Sequence, residues 1–191
     1  MAQYSVIGKR FPRNDAKKKV TGQARFATDM SLPGMLYGKI LRSPFAHARI
    51  LNIDTTEAER LPGVKAIVVG KDTPKTHMFG IDIYDEPLLA WDGVVRFVGQ
   101  EVAAVAAVNK DTAEEAIELI KVDYQELPAV FDPEEAMKSG APQLHPELPS
   151  VKENIGFEVT IERGDIEKGF SEADVIVEDS FVTGPVVQSY M

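Results

Sequence analysis

Residues 19–53, KVTGQARFATDMSLPGMLYGKILRSPFAHARILNI, carry the pattern that decides the fold. Within them Met35–Arg42 (MLYGKILR) alternates, placing Leu36, Gly38 and Ile40 on one face and Tyr37, Lys39 and Leu41 on the other. Ala48–Ile53 (ARILNI) does the same, with Ile50 set against Leu51 and Ile53. A sustained period of two predicts half-buried strands. Between them, Ser43-Pro44-Phe45-Ala46-His47 contains a proline that cannot donate to a ladder, so a turn with the two strands paired across it is expected. Upstream, Pro33-Gly34 suits a type II turn in which glycine takes the positive φ.

Working outward, residues 1–20 read as a polar, basic arm broken at Pro12, followed by a turn at Thr21-Gly22 and a strand over Ala24–Ala27. On the other side, Thr56 and Glu59 have capping-box spacing, which predicts a short helix ended by Leu61-Pro62-Gly63. Val64–Val69 is a mostly apolar run between glycines, consistent with a buried strand. Residues 71–93 show no clear period and read as a functional loop or a partner-facing excursion. Val94–Val98 is a strand, Gly99-Gln100 a turn, and Glu101–Val108 a small-residue strand whose alanines predict close approach by a helix. That helix, near Thr112–Lys121, has Asp111 as N-cap, Ala113, Ala116, Ile117 and Ile120 along one stripe, and Glu114, Glu115 and Glu118 facing outward. Val122–Leu127 alternates again. Asp132-Pro133-Glu134-Glu135 has an N-cap, proline at N1 and an acidic first turn, closing at Gly140.

Residues 138–154, with three prolines in APQLHPELPS, read as a linker and domain boundary. Beyond it Phe157–Ile161 and Val175–Thr183 alternate as strands around a short acidic helix near Asp165–Ser171, and Val186–Tyr190 is strand-like. Too few strands lie past residue 155 to fold independently.

Of the 191 residues 44% are hydrophobic and 27% charged, ordinary values for a globular protein. The chain has no cysteine, which rules out disulfides, zinc–thiolate sites, thiol catalysis and iron–sulfur ligation by its own thiolates. No apolar run is long enough to span a membrane, and MAQYSVIGKRF lacks the apolar core of a secretory signal, so a cytoplasmic location is expected. The net charge of −9 is uneven: residues 1–25 hold seven bases against Asp15, whereas residues 111–191 hold nineteen carboxylates against five bases. Without aromatic interleaving or a nucleic-acid-binding motif, the basic arm fits an acidic protein surface, its own or a partner's, better than nucleic acid.

Candidate chemistry is sparse. His47, His77 and His145 are far apart, and no pair has metal-ligand spacing. His47 is expected to pack or hydrogen-bond between strands, and His145 to be solvated. The pairs Glu114/Glu115 and Glu134/Glu135 sit where helix caps and outer faces need them. Gln100 belongs to a turn, though a glutamine amide there can also contact a ligand. No nucleophile elbow, P-loop or dinucleotide fingerprint occurs. No residue is assigned as catalytic, cofactor-binding or metal-binding.

Several motifs in order carry a resemblance. They are Pro12-Arg13-x-Asp15-Ala16; the run K-V-T-G-x-A-x-F-x-x-D, P-G-M-L-Y and R-S-P-x-A-H-A-R-I; and the stretch from Val94 through Phe97-Val98-Gly99-Gln100 to Val102-Ala103, Val105 and Ala107. Ala113-x-x-Ala116 with Val122-x-Tyr124-x-Glu126-Leu127-Pro128-Ala129-Val130 comes next, then Gly164-Asp165 through Gly169-Phe170 to Val177-Glu178. Together they resemble the amino-terminal region of the large subunit of the molybdenum hydroxylases, the xanthine dehydrogenase and aldehyde oxidase family. The resemblance implies an α+β fold: an α/β hammerhead domain over residues 21–137, with mixed sheet and short helices. The first strands of an incomplete molybdopterin-binding domain would come after it, over residues 155–191.

The family oxidises heterocycles and aldehydes at a molybdopterin-bound molybdenum, passing electrons through iron–sulfur clusters and often a flavin such as FAD. Its pterin-holding loops, such as G-G-x-F-G-G, and its catalytic glutamate lie downstream and do not occur here. The sequence stops at Gln188-Ser189-Tyr190-Met191, where the family continues into a Glu-Pro segment, and it has glutamine near where a histidine is common. The resemblance therefore implies a chain that binds no cofactor and is inactive by itself. It would scaffold the enzyme and dock the rest of the large subunit, an iron–sulfur subunit or domain and a flavin subunit. A free-standing hammerhead-fold assembly module is the alternative.

Overall fold

The computed structural model describes residues 7–74, 78–80, 83–148, 151–184 and 186. Its elements begin with α1 (Ala16–Val20), β1 (Tyr37–Arg42), β2 (Ala48–Asp54), α2 (Thr56–Arg60) and β3 (Val64–Val69). The short pieces β4 (Met78–Phe79), β5 (Glu86–Pro87) and β6 (Val94–Val95) lead to β7 (Glu101–Ala107) and α3 (Lys110–Leu119). β8 (Lys121–Glu126), α4 (Pro133–Ala136) and α5 (Ile166–Glu172) complete the order. The expected α+β unit of sheet and short helices is present, and every ladder described in it runs antiparallel.

The two strands of the deciding stretch form as expected, but not with each other. β1 lies in a sheet ordered β1-β7-β3, while β2 lies in a second sheet ordered β6-β2-β8. Ser43–His47 is therefore a crossover between sheets and not a hairpin turn. Its bend is fixed by the Ser43 hydroxyl, which accepts from the Phe45 amide at 3.0 Å. The flanks are tied elsewhere: the Ser43 amide donates to the Gln100 carbonyl and the Leu127 amide to the His47 carbonyl, each at 2.9 Å.

α3 packs on one face of the first sheet. Its Ala113 and Ala116 are fully buried, as are Ala103 and Ala107 of β7. The alanines let helix and sheet approach closely, while Leu41, Ile67, Ile117 and Leu119 fill the flanks. A second cluster of Ala48, Ala90, Val95 and Val102 sits against β2, and Ile53 and Val122 touch both clusters and join the two sheets. Val95 and Val102 are the largest side chains completely enclosed, and each contributes roughly 1.5–3 kcal/mol by leaving water.

Several local expectations need correction. Ala24–Ala27 forms no strand: the Asp29 carboxylate accepts from the Phe26 amide at 2.9 Å and folds the segment into a 3-10 turn over Ala27–Asp29. α2 is capped ahead of Thr56, where the Asp54 carboxylate accepts from the Thr56 amide at 2.9 Å and the Thr55 hydroxyl bonds Glu59 at 2.6 Å. α3 starts before Asp111, because the Asn109 side chain accepts from the Thr112 amide at 2.8 Å. Val94–Val98 shortens to β6, since Arg96 turns out of the ladder. The Pro33-Gly34 turn holds, with Gly34 at φ 75°, and Asp132 caps α4 through the Glu134 and Glu135 amides, each at 2.9 Å.

Phe157–Ile161 and Val175–Thr183 join no ladder, although the intervening α5 forms behind its Asp165 cap. Val186–Tyr190 lies almost wholly outside the described residues.

Candidate functional site

Two of the residues singled out for chemistry, Gln100 and His145, meet at a junction where the second sheet joins the segment after α4. The Gln100 amide oxygen accepts from the Arg96 backbone at 2.6 Å, and only 3% of the residue is exposed. This contact locks the Phe97–Gly99 turn from within. Arg42 clamps its outer side, donating to the Gly99 carbonyl and to Glu101, both at 2.6 Å. Gln100 is thus held as a structural tie.

Arg96 is the centre of the junction. Its guanidinium is 7% exposed and lies 2.7 Å from Asp92, itself 17% exposed. It also donates to the Leu144 carbonyl at 2.6 Å and reaches Glu147 at 3.5 Å. A guanidinium suits this place because its planar fork serves several acceptors at once. Asn154 makes a second tie, accepting from the Leu144 amide at 2.9 Å and donating to the carbonyls of Ala136 and Pro142 at 2.9 and 3.0 Å. Asn154 has φ 60°, a conformation asparagine tolerates better than most residues. Residues 141–148 and 151–154 are therefore a strap fastened to the preceding unit, where the sequence suggested a plain linker.

His145 departs from expectation for the same reason. It is 17% exposed, with Nδ1 at 2.9 Å from Glu147 and Nε2 at 4.0 Å from Asp85, not solvated as its proline-rich surroundings suggested. Burial works to raise the Glu147 carboxyl, but the His145 hydrogen bond, the Glu147 amide and the charges of Arg96 and His145 outweigh it and hold it below the ordinary glutamate range. His47 behaves as expected: it is buried, and its Nδ1 lies 2.6 Å from the Pro128 carbonyl. His77 lies outside the described residues.

Of the carboxylate pairs, Glu115, Glu134 and Glu135 are exposed as expected. Glu114 is exposed too, and it also reaches Lys39 of β1 at 2.5 Å, a hydrogen bond and charge that hold its carboxyl below the usual range. Among the described residues no three His, Asp or Glu side chains are grouped to hold a metal ion, and no described helix is long and apolar enough to cross a membrane. The arrangement is one for holding segments in place, with Arg96 and Asn154 as the residues that sequence reasoning missed. Arg96 lies within the Val94–Gln100 stretch that carries the resemblance, but nothing there marked its side chain for a role, and a lone asparagine after a proline-rich run gave no periodic or motif signal.

The sequence profile for the a/b hammerhead domain of aldehyde oxidase and xanthine dehydrogenase matches residues 21–128. The chain belongs to the molybdenum hydroxylase family. The hammerhead region and its continuation are 42% identical over 179 residues to a probable xanthine dehydrogenase subunit of Bacillus subtilis, covering 94% of this chain and 23% of that protein. The nicotinate dehydrogenase large molybdopterin subunit of Eubacterium barkeri is 38% identical over 180 residues, covering 94% of this chain and 41% of its own length. Among solved structures, the aldehyde oxidoreductase of Desulfovibrio gigas superposes with a TM-score of 0.74 at 31% identity, covering 88% of this chain and 19% of that one. The hammerhead chain thus spans less than half the length of each of these relatives.

Proposed function

We propose that this chain is the amino-terminal scaffolding region of the large subunit of a molybdenum-dependent hydroxylase or dehydrogenase of the xanthine dehydrogenase or aldehyde oxidase type. Residues 21–137 form its hammerhead domain behind a basic arm (1–20), residues 138–154 are the connection, and residues 155–191 open the molybdopterin-binding domain. The observation that carries this reading is the match itself, which runs along 94% of the chain but only 23% of the Bacillus relative.

The exposed apolar side chains after residue 155 support it. Phe157 (78%), Ile161 (87%), Val177 (85%) and Phe181 (86%) lie in stretches that alternate apolar with polar residues and pair with none of the described strands, which suits strands of a domain completed by further chain. The reaction centre, with its molybdopterin, lies in that further part. Iron–sulfur clusters and a flavin belong to neighbouring domains or subunits, since this chain has no cysteine to offer a cluster. The expected place of the complex is the cytoplasm. Purified chain, assayed by the fluorescence of oxidised pterin, is expected to carry none; a stoichiometric pterin would overturn the scaffolding role.

A further inference from the structure

From Val102 to Val108 the sequence holds no polar side chain. One face of β7, with Ala103, Val105 and Ala107, lies beneath α3 and is buried. The opposite face carries Ala104 and Ala106. The register sets Gly38 and Ala66 on either side of Ala106, and Ile40 and Val68 on either side of Ala104. These two rows present no charge and no hydrogen-bonding side chain, yet Ile40 is 44% and Val68 37% exposed. An antiparallel sheet with one wet face alternates apolar and polar residues. This one has the chemistry of a sheet covered on both sides.

The shape narrows the choice of cover. Alanines floor the middle strand while Ile40 and Val68 stand on the flanking strands, about 10 Å apart at ~4.8 Å per strand. That width matches a helix of roughly 10 Å diameter. The same design is already filled on the other face, where α3 lies over alanines and valine of β7. At the Ile40 end the two uncharged rows run on into a groove of ≈ 290 Å³ whose lining includes Phe79, Pro87, Leu89 and Phe97 together with the carboxylates Glu86 and Glu101. The charged side chains of the basic arm are mismatched to these uncharged rows.

We infer that the outer face of this sheet seats an α-helix with an uncharged aliphatic side, supplied by the rest of the same large subunit. In the Bacillus relative 23% of the length corresponds to this chain, so the covering element there has ample polypeptide to come from, and tethering raises its effective concentration to about the millimolar range. This inference rests on the scaffolding reading above.

The absence of cysteine makes the test direct. Ala104→Cys, with Lys110→Cys as an exposed reference, is labelled with a maleimide in the 191-residue chain alone and in the whole large subunit, and the labelled peptide is quantified by mass spectrometry. The thiol at position 104 is expected to react at least tenfold more slowly in the whole subunit, with the reference unchanged. Equal rates would overturn the inference, as would protection already present in the monomeric chain or protection that vanishes on dilution. A photo-crosslinker at position 40 is expected to mark residues of the same subunit spaced three, four or seven apart. Spacing of two, or marks only on another subunit, would also overturn it. Pterin bound to the isolated chain would sink the scaffolding role while leaving the labelling contrast intact.

Discussion

At the scale of single residues, the strap depends on two side chains. Replacing Arg96 with Met leaves Asp92 without its partner and the Leu144 carbonyl without a donor. Breaking such a buried pair from one side costs about 3 kcal/mol, which denaturant unfolding of Arg96→Met should register. Asn154→Ala removes three hydrogen bonds, and limited proteolysis should then cut within residues 141–153 faster than in the parent.

Acid should release the same contact. Because the folded-state carboxyl of Glu147 lies below its ordinary value of 4.5, its contribution is complete at neutral pH and is lost as pH falls beneath that value. Strap protection measured from pH 6 to 3 is expected to drop in that range, and Glu147→Gln to flatten the drop. Sequence alone was a fair guide to His47, whose neighbours are strand residues. It misled at His145 because prolines signal an irregular path and say nothing about the surface that path lies against.

At the scale of elements, periodicity located nearly every strand of the hammerhead unit but not their partners. β1 and β2 are separated by five residues, yet each pairs with strands that come much later, such as Tyr37 with Ala107 and Asp54 with Lys121. A two-residue period records which face is buried and carries no label for the strand alongside. The small-residue pattern was more informative: the alanines of β7 and α3 announced close helix–sheet contact, and Ala113 and Ala116 are both fully buried there.

Ala116→Leu should therefore overpack this layer and cost about 1–3 kcal/mol in chemical denaturation. Gly70 is a harder constraint, since a Cβ there would come within 2.6 Å of the Trp91 Cα and 2.7 Å of the Leu89 carbonyl. Gly70→Ala is expected to lower the melting temperature more than Ala116→Leu does, because the obstacle is the Leu89–Trp91 backbone, which cannot swing aside as a side chain can.

For the whole molecule, the chain divides into a packed part and an open one. Every described residue from 157 onward is exposed, whereas Gly156 is still half-buried beside the strap. Removing residues 157–191 should change the stability of the hammerhead unit by less than about 0.5 kcal/mol. It should also sharply reduce binding of a hydrophobic dye, given the apolar side chains exposed there. The alternation in that stretch was legible as strand-forming, but a strand needs a ladder, and none of the described strands pairs with it.

The place of β7 between β1 and β3 also bears on how the protein is made. The middle strand of that sheet is translated last of the three, after both of its neighbours. At ~5–20 residues per second, the ribosome leaves the first edge waiting on the order of several seconds for its centre. Once Val64–Val69 has followed, that largely aliphatic ribbon also hangs unmatched, which makes the nascent chain a natural client for chaperones until Ala107 has emerged.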